Sequence, residues 1–334
     1  MSARAVACRA VTLAVVGLVL GAGPAAADAA KPGSYSSEVT SIEPDPAGFT
    51  VETAGGDAFI ALTVENGHAA VVEGYEGEPY LRFNADGSVE QNRNSPATYI
   101  NAARYGTNAL APDNLQGVDA TTLEPDWEQV VSSGGSYAWH DHRTHFMGGE
   151  RPAGGTLDWT LPIEVDGQPI VVSGVIRYEG TVSPIPWFAL ALLVLVALGV
   201  WGTRLPDRVP AVLVLVVGLL AAGVAWVGYT SLPSGTGASI VPVVVALVAV
   251  VLALVAVLVE RLRTVGLLAG GVFLATWGVF RLAVLSNPVL PTDVPFAFER
   301  LVTALALGVG VGAVIVAFRS GAFTLSLMPD LAEE

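Results

Sequence analysis

The chain has 334 residues, 52% of them hydrophobic, a formal net charge of −14 and a mean hydropathy of +0.58. This composition is too apolar for an ordinary soluble domain and points to several membrane spans. A single cysteine, Cys8, excludes an intrachain disulfide and a thiolate metal cluster, and the acidity excludes nucleic acid as an electrostatic partner.

Residues 1–27 have the three parts of a secretory signal. Arg4 and Arg9 charge the start, Val11 to Leu20 is an uncharged apolar run, and Ala25, Ala26 and Ala27 form a small-residue cleavage site before Asp28. Cys8 precedes the apolar run, which does not fit a lipoprotein acylation site. Cleavage after Ala27 predicts a mature chain without cysteine.

Residues 28–185 read as an extracytoplasmic β-sandwich domain. From Asp28 to Pro184 there are 23 Asp or Glu against 7 Lys or Arg. Such a surface keeps an exported domain soluble and also attracts cations. Phe49 to Val51, Phe59 to Val64 and Ala70 to Val72 are short β-rich runs bounded by Gly, Asp, Asn and Pro. Leu161 to Val165 and Ile170 to Tyr178 flank Asp166-Gly167, the dipeptide that supplies the positive φ values of a tight hairpin. Gln91 to Asp126 is interrupted by Pro96, Pro112 and Pro125, which predicts long loops or a short helix.

Five apolar stretches follow, at 186–203, 209–229, 239–259, 265–285 and 301–318. Each approaches the length of about 20 residues that a helix needs to cross a bilayer. An exported amino-terminal domain followed by five crossings places residues 319–334 in the cytoplasm as a tail. The positive-inside rule agrees. Arg204, Arg208, Arg261, Arg263 and Arg319 fall on the expected cytoplasmic side, and Arg300 alone falls in an outer connection. Ala304, Gly308 and Gly312 form one small-residue stripe, Gly266 and Gly270 another, and both read as helix-packing faces. Arg281 is an intramembrane charge, read either as a side chain reaching for the outer interface or as a functional group, with Trp277 one turn earlier as a stacking partner.

The chemistry is concentrated in Tyr137-Ala138-Trp139-His140-Asp141-His142-Arg143-Thr144-His145-Phe146-Met147, which holds three of the four histidines; the fourth is His68. On a strand, His140 and His142 point to one face, and a following turn brings His145 or Met147 to join them. Imidazoles with a thioether suit copper first and zinc second, with Asp141 and Arg143 holding the ring tautomers from outside the ligand set. The same residues also suit a hydrogen-bonded latch that ties a loop to the sandwich, with Trp139 and Phe146 as anchors. A second polar concentration runs from Gly74 through Tyr75, Glu76, Glu78 and Arg82 to Asn92, Arg93, Asn94, Tyr99, Asn101, Arg104 and Tyr105. It reads as a shallow binding surface, a source of a carboxylate ligand, or polar strand faces and self-satisfied loops. No nucleophile elbow, phosphate-binding loop or zinc-protease helix is present, so no motif indicates an enzyme.

The segments GYEGEPYLRF, NRNSPATYIN and WHDHRTHFM, with a terminal hairpin running into Pro186-Trp187, resemble a group of uncharacterised exported membrane proteins of actinobacteria. The resemblance covers the amino-terminal domain closely and the helices only in general pattern. In that group the position of Phe146 is often tryptophan, which implies a packing role for the ring. The architecture is also similar to bacterial copper-handling proteins that pair a periplasmic β-sandwich with a membrane part. Three readings remain open: a membrane-anchored protein that binds copper or another transition metal, a structural or partner-binding envelope protein whose histidine segment is a latch, and a transporter component using Arg281. Membrane lipids and other envelope membrane proteins are the expected partners.

Overall fold

In the computed structural model, residues 29–102 and 111–321 are described. The expected signal segment and most of the expected tail lie outside them, as do Arg104 and Tyr105. Ten strands form two antiparallel sheets: β1 Tyr35–Glu43, β2 Phe49–Ala54, β3 Phe59–Val64, β4 Ala70–Glu73, β5 Pro79–Phe83, β6 Val89–Asn92, β7 Trp127–Val131, β8 Ser136–Trp139, β9 Thr156–Val165 and β10 Gln168–Tyr178. Seven lie in the order β1-β10-β9-β4-β5-β6-β7, and three in the order β2-β3-β8. The sequence is locally consistent with this. Trp159, Leu161, Ile163 and Val165 alternate into the core along β9. At the β9–β10 turn, Asp166 has φ 50° and Gly167 φ 77°, the conformation that a two-residue hairpin demands. Ile60, Leu62, Val72, Leu81, Phe83, Leu161, Ile163 and Val172 are fully or almost fully buried in one shared core.

The region after β6 holds one short helix, α1 Pro96–Ile100. Ser95 caps it, with its hydroxyl accepting from the Ala97 N–H, and Pro96 occupies the first turn, where its missing N–H costs nothing.

Five further helices are long and apolar enough to cross a membrane: α2 Ile185–Trp201, α3 Val209–Thr230, α4 Val241–Leu258, α5 Arg263–Phe280 and α6 Phe296–Arg319. Their lipid-type side chains point outward, as at Leu192, Leu193, Leu258 and Phe280. α6 is the central helix, packed against α2, α3 and α5. The small-residue stripes are the contacts. A methyl group added at Gly308 would meet the Ala191 carbonyl of α2 at 2.6 Å, and one at Gly266 would meet the Leu252 carbonyl of α4 at 2.9 Å.

Two helix ends depart from expectation. α5 stops at Phe280, and residues 282–285 tighten into a 3₁₀ turn, so Arg281 caps the helix and is not inside it. α6 begins at Phe296, five residues before the expected start, which brings Glu299 and Arg300 into its first turns. Arg300 is therefore buried, and its guanidinium donates to the carbonyls of Val284 (3.2 Å) and Asn287 (2.8 Å). It closes the 3₁₀ turn rather than lying in an exposed connection.

The β domain meets the bundle at short loops. Gly33 and Val289 exchange backbone hydrogen bonds of 3.0 and 3.1 Å. Gly55 and Gly56, both at positive φ in the β2–β3 turn, lie against Leu232 and Val289. A side chain there would collide as well as strain the backbone.

Candidate metal centre

β8 ends at Trp139, one residue before the first histidine. Strand alternation therefore does not set the imidazoles. Residues 140–145 leave the sheet and turn, with the Thr144 N–H donating to the Asp141 carbonyl at 3.1 Å. Because Trp139 pairs with Ile60 at the end of the β3–β8 ladder, this turn lies beside the β2–β3 turn, and that neighbour supplies the imidazole partners.

His140 Nδ1 lies 2.7 Å from the Ala58 carbonyl. His145 Nδ1 lies 2.9 Å from the Asp57 carbonyl and 2.9 Å from its Oδ2. Carbonyl and carboxylate oxygens only accept, so each Nδ1 carries the proton, which assigns the lone pair to Nε2 in the neutral ring. The same Asp57 Oδ2 accepts the Phe146 N–H at 3.1 Å. The His145 side chain is fully buried, and its Nε2 makes no hydrogen bond.

The three rings cluster. The His140 centroid is 4.7 Å from that of His145 and 5.2 Å from that of His142. Imidazoles bound through Nε2 at about 2.0–2.1 Å have centroids about 3 Å from the metal, hence about 5 Å from one another at tetrahedral angles. Among the described residues, however, no three His, Asp or Glu side chains bring their donor atoms to a common point. The rings are spaced as ligands would be, but their donor atoms do not come together. His142 is half-buried. Met147 is also half-buried, two residues beyond His145.

Asp141 and Arg143 act elsewhere. Asp141 is fully buried and takes the Arg143 Nε–H on Oδ1 at 2.9 Å and the Nη2–H on Oδ2 at 2.8 Å. Trp139 donates its indole N–H to Oδ2 at 2.9 Å. Arg143 Nη1 reaches across to the Glu73 carbonyl at 3.0 Å, and its guanidinium stacks over Tyr75 at 4.9 Å. The Tyr75 hydroxyl accepts from the His142 backbone N–H at 3.0 Å and donates to Asn101 Oδ1 at 2.5 Å. Burial alone would push the Asp141 carboxyl up, but the Arg143 charge and the hydrogen bonds from Arg143 and Trp139 outweigh it and hold the group below the usual carboxylate range. Burial pushes the Tyr75 phenol up, so it stays a neutral hydroxyl.

The segment thus has two halves. Trp139, Asp141 and Arg143 bond into the sandwich, and His140, His142 and His145 cluster beside the β2–β3 turn. Tautomer control comes from Ala58 and Asp57, not from Asp141 or Arg143. Residues 82 and 88 positions apart gave no sequence signal of this meeting. Phe146 stacks on Tyr35 at 3.9 Å, and His68 is engaged separately, with Asp166 at 2.7 Å.

The second polar concentration mostly stitches loops. Buried Glu78 takes the Ser95 hydroxyl (2.5 Å) and the Glu76 N–H (2.9 Å), and buried Asn92 bridges Pro79, Asn94 and Asp126. Arg82 pairs with Glu90. A cleft of about 450 Å³ runs between this region and the α3–α4 connection, with Tyr80, Asn101, Trp139, His140 and Thr236 in its wall.

No protein-family model, curated protein or solved structure matches the chain.

Proposed function

We propose that this is a multi-pass membrane protein whose β domain lies outside the cytoplasm and binds a transition metal, copper before zinc, through His140, His142 and His145. Five helices of spanning length support the anchoring. The signal-like segment at residues 1–27 and the distribution of arginines support the orientation.

The observation that carries the metal reading is His145. Its Nδ1 is fixed by Asp57, and its Nε2 is buried without a hydrogen bond, 4.7 Å ring to ring from a second imidazole held the same way by Ala58. Metal-ligating histidines are ordinarily oriented by this kind of Nδ1–H contact to a carbonyl or carboxylate. A buried acceptor left unsatisfied costs about 1–3 kcal/mol, and an ion at Nε2 removes that penalty. Met147 at the edge favours cuprous copper, because a soft thioether stabilises that state. Copper or zinc titration, followed by ultraviolet absorption of the imidazole complex and by mass, tests the reading.

A second reading rests on the Asp141–Arg143 network. It takes the whole segment as a latch and the protein as a partner-binding component of the envelope. The two differ in what His142 does: a ligand in the first, and in the second a turn residue whose contacts to Tyr75 and Asn101 run through its backbone N–H.

A further inference from the structure

Four helix ends converge at the β-domain end of the bundle, and two charges meet among them. Arg281 caps α5, and Glu299 sits in the first turn of α6. The Arg281 guanidinium contacts Glu299 Oε1 and packs over the Trp277 ring at 5.0 Å. The Glu299 side chain is 1% exposed and that of Arg281 19%. Sequence reasoning identified Arg281 and Trp277 but missed Glu299.

The pair is incomplete. Glu299 Oε2 and Arg281 Nε are both buried and make no hydrogen bond. Burying two charges is costly, and their attraction offsets the cost only when the remaining lone pairs and protons are also matched. Arg300, next in sequence, shows the contrast, since backbone carbonyls satisfy it. Next to this pair is a cavity of about 200 Å³ lined by Arg281, Glu299, Tyr229 and Ser239, with Leu232 and Phe280 as apolar wall.

The cavity wall therefore holds one carboxylate side chain and one guanidinium side chain next to each other. A lone anion is repelled by Glu299, and a lone cation by Arg281. A molecule carrying both signs a few ångströms apart meets neither penalty. We propose that this cavity binds a zwitterion, its ammonium N–H groups on Glu299 and its phosphate or carboxylate oxygen on Arg281. The aminophosphate headgroup of a lipid and a free soluble aminophosphate share this chemistry. The site is independent of the imidazole cluster and stands whether or not the histidines bind metal.

The test uses the delipidated full chain in detergent, titrated with short-chain phosphatidylethanolamine, phosphatidylcholine, phosphatidylglycerol and free phosphoethanolamine, with binding read by native mass spectrometry. Phosphatidylcholine has the charges but no ammonium N–H, and phosphatidylglycerol has no cation. Saturable binding of an ethanolamine ligand, at least tenfold tighter than phosphatidylcholine or phosphatidylglycerol, is expected. Binding of the lipid alone marks a headgroup site, and equal binding of phosphoethanolamine marks a soluble ligand. Glu299→Gln should weaken binding at least tenfold. Ser239 is an exposed residue of the cavity wall outside the ion pair, so Ser239→Phe, which narrows the cavity, carries the test if Glu299→Gln does not fold, and it should also weaken binding tenfold. Equal affinity for phosphatidylglycerol, unchanged binding in Ser239→Phe, or no saturable binding of any ethanolamine ligand overturns the proposal.

Discussion

Arg143 grips Asp141 at two points, Nε to Oδ1 at 2.9 Å and Nη2 to Oδ2 at 2.8 Å, while the carboxylate is fully buried. Removing one partner of such a pair strands the other charge, at about 3–5 kcal/mol. Arg143→Met should lower β-domain stability by that order, in a melt followed by tryptophan fluorescence, to which Trp139, whose indole bonds Asp141, contributes. The double variant Asp141→Leu with Arg143→Met should recover much of the loss. A single variant as stable as the parent would contradict the latch.

The same pair sets an acid limit. The folded-state value of Asp141 is held down, chiefly by Arg143 against the opposing effect of burial. Its contribution to stability is therefore fully present above the unfolded value of about 3.9 and is lost as pH falls from there through the folded value. Melting temperature should fall below about pH 4 in the parent and fall less steeply in Arg143→Met. Equal acid slopes in the two proteins would show that other carboxylates dominate.

Helix packing makes a sharper distinction between glycines than composition does. An added side chain at Gly308 meets the Ala191 carbonyl and Val194, whereas at Gly223 nothing lies within 4 Å. Gly308→Leu should destabilise the bundle or abolish its folding, and Gly223→Leu should leave it intact or improve it by about 0.5–1 kcal/mol through helix propensity. Size-exclusion profiles and melts in detergent separate the two. Similar behaviour would mean that α2 does not pack on α6 as described.

The proposed orientation is open to labelling with a membrane-impermeant maleimide, because the sole cysteine lies in the signal-like segment. Exposed Ser234 and Ser320 lie toward opposite ends of the bundle. Ser234→Cys should label in intact cells, and Ser320→Cys only after lysis. The reverse pattern would invert the topology.

The hairpin at Asp166-Gly167 and the five apolar helices were legible because each signal is local. The ends of α5 and α6 were not, since apolar composition continues past Phe280 and gives no stop. Pro295 followed by Glu299 is a helix-start pattern, and it marks the start of α6 at Phe296. The clustering of His140, His142 and His145 was visible, yet the strand expected beneath them ends at Trp139. Their carbonyl partners at Asp57 and Ala58 arise from the pairing of β3 with β8, which no local pattern encodes.

The most direct test of the metal proposal is copper titration of the full chain, parent against His142→Ala. The hydrogen bonds of His142 to Tyr75 and Asn101 use its backbone N–H, so these two survive the substitution. The parent should bind one equivalent, raise its melting temperature with metal, and lose affinity as pH falls through about 6.5, where free imidazoles protonate. His142→Ala should bind at least tenfold more weakly. A parent that binds neither copper nor zinc, or a His142→Ala protein that binds copper as tightly as the parent, would contradict the account and leave the segment as a latch.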